Sequence, residues 1–192
     1  MKSFVLASGS PRRRELLAQL GVDPIIWASD IAENNSSNER PESMAMSLAL
    51  QKALEASSKF QNDIVLAADT IVVVDGRVMG KPRDNDEAYD MLKDLSGRSH
   101  EVITGFAIID NSENTKVVEY EKTLVTFRTL DHERIMAYID SGEVLDKAGA
   151  YGIQGKGALL VEKIEGCYFN VVGLPLSRLE ANLNKYFNIK FL

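Results

Sequence analysis

Asp69 interrupts the run Ile64-Val65-Leu66-Ala67-Ala68-Asp69-Thr70-Ile71-Val72-Val73-Val74, which is otherwise apolar apart from Thr70. A carboxylate in such a strand carries a large desolvation cost unless a cation, a metal or a hydrogen-bond donor compensates it. Asp69 is therefore either a metal ligand or general base, or an acid at a strand end or bulge that caps a neighbouring backbone group. A second candidate is Ser8-Gly9-Ser10-Pro11-Arg12-Arg13-Arg14. A strand, a small-residue turn and a helix start would aim free N–H groups and a positive dipole end at one point. Arg12 and Arg13 in that first turn oppose the dipole, at a cost of a few tenths to about 1 kcal/mol unless an anion sits between them. The segment is either a phosphate site or a solvated basic helix start.

Lys52 falls within the apolar stripe Met44, Ala45, Leu48, Ala49 and Ala56, so it must either snorkel to water or meet an anion. Lys81, in Gly80-Lys81-Pro82, follows a hairpin that could return it toward Asp69; alone it would be an ordinary loop lysine. In Asp146-Lys147-Ala148-Gly149-Ala150-Tyr151-Gly152-Ile153-Gln154-Gly155, glycines would let backbone approach a ligand closely. Asp146 would add a second carboxylate there, and the Gln154 amide both donates and accepts. The other reading of this stretch is a flexible connector. Gly-Lys at 80–81 and 155–156 lacks the P-loop glycine, since Asp75 and Ala150 stand in its place. His132 belongs at an exposed helix start, and His100 has no evident nucleophile partner, which argues against a hydrolase triad.

The elements that must carry these residues alternate between strand and helix. A strand at 4–7 leads into a helix capped by Ser10, opened by Pro11 and faced by Leu16, Leu17 and Leu20, ending at Gly21. A polar loop spans 30–41, and Pro41 opens a helix to about Ser57. The strand 64–74 turns at Asp75-Gly76 into 77–79, and Asp84 with Glu87 forms a capping box for a helix ending near Gly97. Strands 101–110 and 116–128 precede a helix at 131–141. The glycine-rich stretch then leads to strands 158–164 and 167–172, and Pro175 opens a last helix with Leu176, Leu179, Leu183 and Tyr186 facing in. The pattern predicts α/β with a mixed sheet.

Composition narrows the function classes. The 192 residues include 45% hydrophobic and 26% charged side chains, which excludes disordered and fibrous proteins. The formal charge of −6 argues against nucleic-acid binding. No apolar run reaches the roughly 18 residues of a membrane span, so no membrane partner is expected. The single Cys167 cannot form an internal disulfide, which makes the cytoplasm the expected setting.

Leu6-Ala7-Ser8-Gly9-Ser10-Pro11-Arg12-Arg13, Ala67-Ala68-Asp69-Thr70-Ile71-Val72, Gly80-Lys81-Pro82, Leu95-Ser96-Gly97-Arg98-Ser99-His100-Glu101-Val102, the 146–155 stretch and Val172-Gly173-Leu174-Pro175 resemble the motifs of the Maf (septum formation protein) family. They stand in family order and span nearly the whole chain. The resemblance implies a nucleoside triphosphate pyrophosphatase built as one domain over 1–192. It also implies a bent mixed β-sheet flanked by helices, with two lobes around a cleft, similar to the inosine triphosphate pyrophosphatases. Carried over by motif, Asp69 becomes the proton acceptor or metal-site carboxylate. Ser8, Arg12, Arg13, Lys52 and Lys81 would hold the triphosphate, and Glu33 would help Asp69 hold a divalent cation, Mg²⁺ or Mn²⁺.

The start of the first motif, Thr70 after the acid, and Ile153-Gln154-Gly155 resemble the branch acting on dTTP and UTP. Thr70 and Gln154 thereby join the substrate-binding residues. Modified pyrimidine triphosphates, such as 5-methyl-UTP or pseudouridine triphosphate, are the alternative house-cleaning substrates. A homodimer is common in the family. The class-distinct alternative is a nucleotide-binding regulator of cell division, although a pure binder gains nothing from a buried carboxylate beside a polyanion.

Overall fold

The computed structural model describes residues 2–28 and 39–192, so Glu33 and most of the predicted polar loop lie outside the described residues. Two compact units divide the chain. The first comprises Met1–Asp69, Thr104–Glu121 and Gly173–Leu192, and the second Thr70–Ile103 and Lys122–Val172. The elements run β1 (Phe4–Leu6), α1 (Pro11–Gln19), β2 (Ile25–Ile26), α2 (Pro41–Lys59), β3 (Ile64–Val74), β4 (Arg77–Met79) and α3 (Asn85–Leu95). They continue with β5 (Ser99–Asp110), β6 (Thr115–Phe127), α4 (His132–Ile139), β7 (Val161–Glu165), α5 (Tyr168–Val172) and α6 (Leu176–Phe187). The sheet order is β2-β1-β3-β5-β6-β7, with β4 paired to β3. It is mixed, as the sequence predicts: β1 is parallel to β2 and β3, whereas β4 and β7 pair antiparallel. Among the described residues no helix is long and apolar enough to cross a membrane.

In the first unit, α2 presents an alanine-rich face. Ala49, Ala53 and Ala56 pack with Val5, Ala7, Val65, Ala67, Ala107 and Ile109 in one core. Small side chains let a helix come close to a sheet, and Gly105 of β5 takes that to its limit. A Cβ added at Gly105 would lie 2.3 Å from both the backbone carbon and the carbonyl oxygen of Ala45. Helix backbone and strand backbone meet there with no side chain between them.

On α6, Leu176, Leu179 and Leu183 are buried as expected, but Tyr186 is 45% exposed, a correction to the predicted inward face. The helix ends one residue later and Asn188 turns left-handed at φ 54°, so the tyrosine ring lies at the fraying end, beneath the Lys185 ammonium. The inward polar position is Asn182 instead, whose amide donates to Glu119 at 3.1 Å.

In the second unit, the Asp75-Gly76 turn takes φ 48° and 74°, the paired left-handed conformation of a tight hairpin, and sets Val73 opposite Val78. Asp84 caps α3 by accepting the Glu87 N–H at 2.8 Å. The Glu87 carboxylate does not return to the cap residue, as a capping box would have it; it accepts the Arg83 N–H at 2.7 Å. The core of this unit joins Leu92, Leu95, Phe127, Ile135, Tyr138 and Tyr151.

The predicted strands 158–164 and 167–172 need correcting. Residues Gly155–Leu159 form a 3₁₀ turn, β7 spans Val161–Glu165, and Tyr168–Val172 is helical. Long-range hydrogen bonds explain the helix. The Thr123 hydroxyl accepts the Cys167 N–H and donates to the Cys167 carbonyl, both at 3.1 Å. Asn170 Nδ2 donates to the Val102 carbonyl and to Thr123, both at 3.0 Å. These partners come from β5 and β6 and outweigh the local β propensity.

Replacing Gly105 by Ala should destabilise the fold by roughly 1–3 kcal/mol, because two backbones must separate to admit the methyl group. Gly80→Ala, with open space around its Cβ position, should change stability little. Urea unfolding midpoints of the two variants check this.

Candidate active site

The turn from β1 into α1 is built as the sequence predicts at Pro11, which takes the first helical position, and differently at Ser10. Ser10 stands at the N-cap without making a side-chain cap bond; its own N–H donates to Ser8 Oγ at 3.3 Å. Ser8 Oγ also accepts from Arg13 Nη1 at 2.8 Å, and Arg13 Nε donates to the Gly173 carbonyl at 2.8 Å. The guanidinium is thus clamped between the first motif and the last. Burial pulls its pKa down, the Asp69 charge opposes that, and Arg12 reinforces it. The first turn of α1 holds no acidic residue. Asp69, on β3, is an acid whose charge Arg13 senses from there.

Asp69 sits in the middle of β3, not at an end, and Lys52 reaches it from α2. Lys52 Nζ stands 2.5 Å from Asp69 Oδ1, with the two side chains 18% and 13% exposed. Lys52 therefore meets an anion instead of snorkelling. Removing one partner of a fully buried pair costs about 3–5 kcal/mol, and partial access to water lowers that figure here. A carboxylate held in this way keeps one orientation and stays beside Arg13. The arrangement suits proton acceptance close to a bound anion.

In the second unit, Thr70 follows Asp69 along β3 and is half-buried. Lys81 is exposed. The Gly149 N–H donates to the Gly80 carbonyl at 3.0 Å, which joins the Gly80-Lys81-Pro82 motif to the glycine-rich stretch. That stretch is no flexible connector. Gly149 adopts φ 67° with Val72 Cγ1 only 3.1 Å from its Cβ position. The Gly152 N–H donates to the Tyr138 hydroxyl at 3.2 Å, and a Cβ on Gly157 would lie 1.8 Å from the Gly152 oxygen. Gln154 is half-buried and heads the 3₁₀ turn without capping it, so its amide is not spent on the turn's own backbone.

Asp146 is exposed and pairs with Lys147 at 2.5 Å. Among the described residues no group of three or more His, Cys, Asp or Glu side chains is placed to hold a metal ion. His132 is exposed, as expected. His100 is buried, and its Nε2 lies 2.6 Å from the Tyr151 hydroxyl.

Sequence reasoning missed the Gly173 carbonyl and the Tyr138 hydroxyl. A carbonyl has no side-chain signature, and Tyr138 already accounted for itself as part of an apolar helix face.

The Maf-like protein family model matches residues 3–186. The chain belongs to the Maf family. A relative from Alkaliphilus oremlandii named dTTP/UTP pyrophosphatase is 52% identical, covering 100% of each chain. Another with the same name, from Acetivibrio thermocellus, is 51% identical over 100% of this chain and 98% of its own. Among solved structures, a HAM1 protein from Coxiella burnetii aligns at a TM-score of 0.48 and 19% identity, covering 66% of this Maf chain and 73% of its own.

Stability of the Maf chain should depend on the buried imidazole. Burial lowers the His100 pKa from 6.5 to about 4. Below pH 6.5 the unfolded chain takes up the proton first, so the His100 contribution is full above that value and is lost as pH falls toward 4. Urea midpoints measured from pH 7 down to pH 4 should fall less steeply for His100→Gln than for the unsubstituted chain.

Proposed function

We propose that this chain hydrolyses dTTP and UTP to the nucleoside monophosphate and pyrophosphate, acting as a single Maf-like domain over 1–192. The observation that carries the reading is the Lys52–Asp69 pair at 2.5 Å, set in the field of Arg13 at the basic start of α1. Relatives about half identical along their whole length bear that activity in their names. In this reading Ser8, Arg12, Arg13, Lys52 and Lys81 bind the triphosphate. Asp69 accepts a proton from water as the water oxygen bonds to the α-phosphorus. The bond between that phosphorus and the bridging oxygen breaks, and pyrophosphate leaves with its charge met by the basic residues.

In this reading a divalent cation, Mg²⁺ or Mn²⁺, accompanies the substrate, since Mg²⁺ is usually held by one or two carboxylates together with substrate phosphates. Asp69, with Glu33 from outside the described residues, would hold it. When bound it supplies Lewis-acid neutralisation of phosphate charge. Thr70 and Gln154 select the base. The Gln154 amide offers a donor and an acceptor that complement the N3–H and carbonyl groups shared by uracil and thymine, a pattern that cytosine reverses. We place this activity in the cytoplasm, on free nucleotides as a pool-cleaning step, with modified pyrimidine triphosphates as further substrates and a homodimer as the working form.

Purified protein with Mg²⁺ and UTP should yield UMP and pyrophosphate; release of orthophosphate without added pyrophosphatase would overturn the reading. Asp69→Asn should lower kcat by about 10²-fold or more while still unfolding cooperatively. Gln154→Ala should erode the UTP-over-CTP ratio of kcat/KM more than it slows turnover of UTP, since a site left with unpaired polar groups is what rejects the wrong base.

A further inference from the structure

His100 is 2% exposed on β5, and its Nδ1 has no hydrogen-bond partner among the described residues. A buried nitrogen left in this state costs stability that a hydrocarbon ring would not. Packing does not account for the imidazole. It meets Phe127 edge-on at 5.0 Å and Tyr151 at 5.3 Å, both contacts that phenylalanine would make. The imidazole adds one thing, the 2.6 Å bond from Nε2 to the Tyr151 hydroxyl. Tyr151 is itself buried, so its hydroxyl too would be costly without that bond. With no partner to accept a proton from Nδ1, the economical tautomer leaves it unprotonated and lets Nε2–H donate to the phenol oxygen.

Tyr151 opens the short segment that leads to Gln154, and Gly152 beside it is held by the Tyr138 hydroxyl at 3.2 Å. The segment thus hangs from two buried phenol groups, one of which depends on His100. We infer that His100 is a positioning residue for base selection: by holding the Tyr151 hydroxyl, it fixes the 151–155 segment that presents the Gln154 amide. The inference rests on the functional reading above, in which that amide discriminates uracil from cytosine. A recognition group set by supporting hydrogen bonds loses discrimination when the support loosens, even though it is still present.

The test compares His100→Phe and Tyr151→Phe, which keep the aromatic packing and remove only the bond, alone and combined with Gln154→Ala. Each Phe variant should lower the UTP-over-CTP ratio of kcat/KM by about 10-fold, through a higher KM for UTP with kcat nearly unchanged. Amide hydrogen exchange over 151–155 should accelerate while the core stays protected. In the Gln154→Ala background neither Phe substitution should lower the ratio further, because all three changes act on one contact. A purely structural role would lower the melting temperature and leave the ratio alone. An unchanged ratio in either folded Phe variant, or a loss that adds fully to that of Gln154→Ala, would overturn the role of His100. Should His100→Phe not fold, Tyr151→Phe decides by the same outcomes. Absence of UTP turnover in the unsubstituted protein would instead defeat the functional reading, and this inference with it.

Discussion

A carboxylate set in the middle of an apolar strand is tolerable only if a positive group reaches it, and much of the first unit serves that requirement. Lys52 can reach Asp69 because α2 passes over β3, and α2 can lie there because its inner face is mostly alanine. The approach is closed at Gly105, where a methyl group would collide with the Ala45 backbone. The pair therefore depends on the helix, the helix on the small residues, and the small residues on one glycine in a neighbouring strand. Arg13 adds a second cation from a different direction, fixed by Ser8 and by the Gly173 carbonyl.

The two units hold their functional groups by different means. In the first, side-chain charges are held directly: ammonium by carboxylate, and guanidinium by a hydroxyl and a carbonyl. In the second, backbone geometry dominates. Gly149 is left-handed against Val72, Gly157 lies against the Gly152 carbonyl, and buried phenol hydroxyls hold the turn between them. The first arrangement suits a ligand whose recognition is mainly electrostatic.

Much of this was legible before any coordinates, because the informative residues violate local rules. Asp69 in an apolar strand, Lys52 on an apolar stripe and arginines at a helix start each demanded a partner, and Lys52 and Asp69 prove to be partners of each other. The Asp75-Gly76 hairpin and the Asp84 cap were legible because their chemistry is local. What failed was non-local. The 167–172 segment carries strand-like residues, and hydrogen bonds from Cys167 and Asn170 to the distant Thr123 and Val102 hold it helical. Tyr186 fits the apolar spacing of α6 but lies at an end where no core remains to receive it. The 149–157 stretch stayed open in sequence between a ligand-approaching loop and a connector, because glycine marks flexibility and tight fit with the same letter.

The contact between Gly105 and Ala45 also acts as a fulcrum. Lys52 follows Ala45 by seven residues, a lever of about 10 Å along the helix axis. A tilt of roughly 5° at the fulcrum would carry the far end by about 1 Å, a displacement that can cost on the order of 10²-fold in a reacting geometry. The strand backbone beneath α2 thus sets the aim of the ammonium. A residue with no side chain, on a different strand, sets how the Lys52 ammonium meets Asp69.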